Sequence, residues 1–141
     1  MIRSIAVALT LASILACPGI AAIQPGQVQA AGPTAPTETM MVTLANFSFT
    51  PSILHFERGR HYLLRLTNQG SGGHNFTAKA FFAATTVDPA SQALIVNGGV
   101  EVPKGGTVEI GLTPAMPGEY PIKCSHFLHS GFGMKGSAVI E

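Results

Sequence analysis

The side chains best suited to chemistry sit near the C-terminus. Cys124, His126, His129 and Met134 fall within eleven residues, and the run closes with Lys135-Gly136. Well upstream, His74 follows the turn-forming run Gly70-Ser-Gly-Gly73 and precedes Asn75-Phe76. One thiolate, two imidazoles and a thioether form the donor set of a blue-copper centre. The thiolate binds Cu(I) well and couples strongly to Cu(II), the imidazoles suit both states, and the thioether adjusts the potential. The expected ligands are His74, Cys124, His129 and Met134, with His126 as a possible additional one. With His126 added, the set becomes one thiolate and three imidazoles, which suits a tetragonal red-type copper or a closed tetrahedral zinc site. The plain alternatives are a buried inert thiol, a turn histidine at His74 and a packing methionine at Met134.

These side chains need a rigid frame. From Met41 onward the chain alternates short apolar runs with Gly, Pro and Asn turns. Met41–Phe47, Ile53–Phe56, His61–Thr67, Val100–Val102, Thr107–Leu112, Glu119–Lys123 and Ser137–Ile140 read as strands. His61–Thr67 alternates with period two, with Tyr62, Leu64 and Leu66 on one face. Phe76–Ala84 is ambiguous between a strand and a short helical turn. No long amphipathic helix is present after residue 40. About seven or eight short strands at this spacing predict an all-β Greek-key antiparallel β-sandwich or barrel. Cys124 would then end one strand, and His129 and Met134 would lie on the loop to the last one. His74 would come from another loop at the same end.

Composition narrows the classes further. The chain has 141 residues, enough for one domain with its own core. Charged residues are 11 %, against about 25 % in typical domains. The formal net charge is +1, so no nucleic-acid-binding patch can be assembled. Arg3 followed by the uncharged, mostly apolar stretch 5–16 reads as a signal peptide, too short to span a bilayer. Val28-Gln29-Ala30 favours cleavage before Ala31, with a site near Ala21 or Ala22 as the alternative, and residues 31–40 read as a flexible lead-in to a domain at 41–141. A minor alternative is a lipoprotein anchored through Cys17. Without residues 1–30, seven basic and seven acidic side chains remain, and Cys124 is the one cysteine left. A lone thiol in an exported protein has no internal disulfide partner and is open to oxidation. Metal ligation gives it a purpose.

These residues carry a resemblance to a known family. The stretch Phe49–Gly59, then Leu66-Thr-Asn68, then His74-Asn75-Phe76 resembles the N-terminal half of cupredoxins, the plastocyanin/azurin superfamily. Pro117-Gly-Glu-Tyr120 followed by Cys124 resembles the strand that ends in their ligand cysteine. The Cys-x4-His-x4-Met-Lys spacing is similar to that of plant phytocyanins. The resemblance covers residues 41–141. It implies one copper ion cycling between Cu(I) and Cu(II) on His74, Cys124, His129 and Met134. It also implies that Asn75 hydrogen-bonds near the cysteine loop and stiffens it. The departures are the missing phytocyanin disulfide, the extra His126, the absence of Trp and the segment Phe81–Asn97, which replaces what several family members use there.

The expected function is that of an exported, periplasmic or extracellular, monomeric one-electron carrier that is not an enzyme. Redox partners would dock transiently on the apolar surface around His129, Phe127 and Phe132. A copper chaperone or buffer is the alternative, although such proteins favour exposed, exchangeable sites. His55 and His61 are expected on the solvent faces of their strands. Met40, Met41 and Met116 are expected in packing or linker roles. Asn46-Phe-Ser48 and Asn75-Phe-Thr77 match the glycosylation pattern by chance.

Overall fold

A computed structural model describes residues 37–127, 129 and 131–141. The predicted leader, Cys17, most of the lead-in and Leu128 lie outside the described residues. Among the described residues, ten strands form two five-stranded sheets. The first sheet has the order β2 (Ser48–Thr50), β1 (Glu38–Ala45), β4 (Tyr62–Asn68), β8 (Thr107–Pro114) and β6 (Thr85–Val87). The second has the order β3 (Ile53–Phe56), β10 (Lys135–Ile140), β9 (Gly118–Lys123), β5 (His74–Thr77) and β7 (Gly99–Val102). The all-β cupredoxin-like sandwich expected from the sequence is present.

The ladders differ from the all-antiparallel expectation at two places. β1 runs parallel to β4, and β3 runs parallel to β10. The chain reaches β4 from β1 only after passing through β3 in the opposite sheet, and such a crossover lets two strands of one sheet point the same way. β1 also begins at Glu38, ahead of the expected start at Met41. The Glu38 amide donates to the His61 carbonyl, which carries the ladder back to that point.

Alternation decides which side chains fill the space between the sheets. On β4, Tyr62, Leu64, Leu66 and Asn68 are buried while Leu63, Arg65 and Thr67 are half-buried. The core adds Leu44, Leu54, Phe56, Phe76, Phe81, Ile110, Leu112 and Ile140. Its aromatic rings meet at offset or edge geometries, such as Phe49 with Phe76 at 5.9 Å and Phe56 with Tyr62 at 5.0 Å.

The ambiguous stretch Phe76–Ala84 contains both elements. β5 ends at Thr77, and α1 (Lys79–Ala83) follows and buries Phe81 and Phe82. Phe81 packs on Phe56 with ring centroids 5.1 Å apart. The segment beyond it makes the edge strand β6 on β8 and the single turn α2 (Pro89–Gln92). His55 is exposed, as expected. His61 is half-buried and engaged on both ring nitrogens: Nδ1 lies 3.0 Å from Thr37 Oγ1 and Nε2 lies 2.9 Å from Asp88 Oδ2. Asp88 comes from the segment Phe81–Asn97, distant in sequence, so the sequence could not reveal this partner.

Candidate metal centre

The predicted ligands gather at one end of the second sheet, on three adjacent strands. Cys124 directly follows β9, Met134 directly precedes β10, and His74 opens β5. Thr77 faces Lys123 across β5 and β9, and Lys123 faces Lys135 across β9 and β10. The ladder therefore places the start of the cysteine loop between its partners. Cys124 N–H donates to the Met134 carbonyl at 3.1 Å and extends the β9–β10 ladder by one bond. Met134 N–H donates to the His129 carbonyl, and His129 N–H donates to the His126 carbonyl, each at 3.1 Å. The backbone folds the evenly spaced donors of the sequence into a closed loop.

Three donor atoms converge inside it. Cys124 Sγ lies 3.4 Å from His129 Nδ1 and 3.9 Å from His74 Nδ1, and the two Nδ1 atoms are 3.1 Å apart. His74, Cys124 and His129 form the candidate metal-holding group among the described residues. Cys124 and Met134 are fully buried, His74 is 1 % exposed and His129 is half-buried. The donor chemistry fits copper: a soft thiol and two borderline imidazoles converge, with no carboxylate among them. Burial, together with the facing His129 and His126, holds the His74 imidazole below its usual pKa. A neutral ring keeps a lone pair for a metal.

The support of His74 rests on Asn46 and Asn68, to which the sequence assigned no role beside it. Its Nε2 points toward Asn46 Oδ1 at 3.4 Å, a long contact that leaves Nδ1 facing the thiol. Asn46 Oδ1 also accepts from the Ser71 amide at 3.0 Å. Asn68 Nδ2 donates to the carbonyls of Gly72 and Val102, and Asn68 Oδ1 accepts from the Gly70 amide at 2.8 Å. Two asparagines thereby shape the turn 70–73 that delivers His74. An Asn beside a Gly-rich run signals a turn, but nothing in the sequence pairs residue 46 with residue 71.

Asn75 is the second residue of β5 and is buried beside the cysteine loop. Its Oδ1 accepts from Ser125 N–H at 2.8 Å and from Thr77 Oγ1 at 3.2 Å. Its Nδ2 donates to Ser125 Oγ at 2.7 Å and to Glu101 Oε1 at 2.8 Å. All four hydrogen-bonding positions of the amide are filled. Both asparagines that match the glycosylation pattern are thus used in internal hydrogen bonds.

His126 lies beside the thiol cluster, its ring centroid 5.4 Å from that of His129, but it is not among the converging donors. Its Nε2 lies 3.0 Å from Glu101 Oε2. A carboxylate only accepts, so this nitrogen carries the hydrogen, and the lone pair of the neutral ring lies on Nδ1. Near His129 the surface is aromatic. The Phe47 ring meets the His129 ring edge-on, with centroids 5.4 Å apart, and packs on Phe132 at 5.0 Å. Phe47 has a positive φ of 66°, unusual for a residue with a Cβ, in the turn between β1 and β2. Phe127 is 87 % exposed and Phe132 63 %.

No curated protein matches the sequence. Several solved structures share the fold. Reduced auracyanin from the photosynthetic bacterium Roseiflexus castenholzii superposes with a TM-score of 0.56 at 17 % identity, covering 76 % of this chain and 98 % of that one. Auracyanin A, a blue copper protein from Chloroflexus aurantiacus, gives 0.54 at 18 % identity, covering 75 % of this chain and 100 % of its own. A multicopper oxidase gives 0.57 at 15 % identity, covering 75 % of this chain and 39 % of the oxidase. At these identities the likeness concerns the fold. The cupredoxin-like domain family matches residues 6–140 of the sequence itself. With nearly the whole sequence matched, the chain belongs to the cupredoxin-like domain family, and its His74–Cys124–His129 group fits one copper ion.

Proposed function

We propose that the protein is an exported, monomeric one-electron carrier, with one copper ion held by His74, Cys124 and His129 and Met134 as a weak fourth donor. Bound copper supplies a Cu(I)/Cu(II) couple. The observation that carries the reading is a buried thiol facing two imidazole Nδ1 atoms within 3.9 Å. Cys124 and His74 exclude water through their burial, and Asn75 ties the cysteine loop to β5. A framework fixed in this way favours small rearrangement between oxidation states. The same burial of Cys124 and Met134 favours a carrier over a copper chaperone, whose donors must exchange. The convergence of His74, Cys124 and His129 without His126 favours two imidazole ligands over three.

Residues 1–30 would serve as the export leader, cleaved before Ala31. Among the described residues no helix is long and apolar enough to cross a membrane. Half-buried His129 would pass electrons to partners docked on Phe47, Phe127 and Phe132, an apolar surface suited to weak, brief encounters. The test is copper titration of the protein lacking residues 1–30. One copper per chain and an intense thiolate-to-copper absorption band that mild reductant bleaches reversibly are expected. Cys124→Ser should abolish the band. A Cys124→Ser protein as strongly coloured as the parent would overturn the reading.

A further inference from the structure

Glu101 and His126 belong to no part of the ligand set, yet they meet beside it. Glu101 lies on β7 directly across from Asn75 on β5. That register lets one carboxylate oxygen, Oε1, accept from Asn75 Nδ2 at 2.8 Å. The other, Oε2, accepts from His126 Nε2 at 3.0 Å. Asn75 in turn grips Ser125 through its amide and its hydroxyl. The residues on both sides of Ser125 are therefore addressed: Cys124 is joined by the ladder, and His126 by Glu101. His126 also accepts the amide of His129 on its own carbonyl.

We propose that Glu101 and His126 are positioning residues that latch the ligand loop onto β5 and β7 and so slow the escape of the bound metal. The proposal rests on the copper-carrier reading. An exposed carboxylate–imidazole pair contributes little by itself. This pair differs because Glu101 shares its carboxylate with Asn75, whose hydrogen bonds are otherwise all spent on the loop and on Thr77. Without Glu101, one Asn75 hydrogen loses its partner and His126 loses its anchor at the same time. Partners that orient ligands in this way typically change metal affinity by roughly ten- to a hundredfold. His126 then has a purpose without being a ligand.

Two measurements test the latch on the protein lacking residues 1–30. The first is amide hydrogen exchange of the metal-free protein. Glu101→Ala should speed exchange at Ser125 and His129 by about tenfold while leaving Ile110 and Leu112 on β8 unchanged. The second is transfer of Cu(I) from the loaded protein to a competing chelator, expected to be about tenfold faster in Glu101→Ala. In a His126→Ala background the same substitution should have a clearly smaller effect, because the two residues act as one unit. Unchanged loop exchange, equal acceleration at β8, or strictly additive effects of the two substitutions would each overturn the latch. A parent protein that binds no copper would instead refute the carrier reading, and the exchange measurement would still decide whether the latch exists.

Discussion

Cys124 is buried beside two imidazoles, and the identity of those two rings is the sharpest question at the residue scale. Cys-x4-His gives the chain room to turn, and the His129 amide bonded to the His126 carbonyl is that turn. Cys-x-His leaves one residue between, and His126 instead reaches outward to Glu101. His129→Gly should destroy the absorption of the copper-loaded protein, and added imidazole should restore part of it by filling the gap. His126→Gly should keep the absorption. Collapse with His126→Gly and survival with His129→Gly would reverse the assignment, and collapse with both would favour a three-imidazole site.

The elements matter because each contributes one donor and little slack. The turn before β5 is held so tightly that a Cβ on Gly70 would overlap the His74 ring and crowd Asn46 Oδ1. Neither can retreat easily, since His74 is packed into the loop and Asn46 is bonded to Ser71. Gly70→Ala should therefore displace His74. Overpacking of this kind typically destabilises by about 1–3 kcal/mol. Thermal unfolding should show that modest loss, and copper titration should show weaker binding, by about tenfold or more. A variant that binds copper as tightly as the parent would show that the turn has room to adjust.

At the scale of the molecule, burying a histidine links folding to pH. His74 has a lowered pKa, caused first by burial and then by His129 and His126. The native metal-free protein thus binds fewer protons than the unfolded chain in the window below the unfolded value of roughly 6.5. Its stability rises with pH through that window, and is lost progressively as pH falls from about 7 toward the native pKa. Denaturant midpoints of the metal-free protein should drop as pH falls below about 7. His74→Asn should flatten that drop. An unchanged pH slope in the variant would assign the effect to other groups.

The strands and the donors were legible in the sequence because both follow short-range rules. Period-two alternation marked Tyr62, Leu64 and Leu66 as one buried face, and the spacing of Cys124, His129 and Met134 marked a metal loop. His74 joined that set as a histidine straight after a Gly-rich turn, and the resemblance to cupredoxins added Asn75. The parallel pairs β1–β4 and β3–β10 could not be read, since a strand's own pattern says nothing about which neighbour it meets. The roles of Asn46, Phe47 and Glu101 were hidden for the same reason. Each acts through a partner distant in sequence, as with Glu101 and Asn75, which are 26 residues apart. Residue type and local spacing chose the chemistry. Only the pairing of β5 with β7 and β9 decided which polar side chains reach the loop and where His126 points.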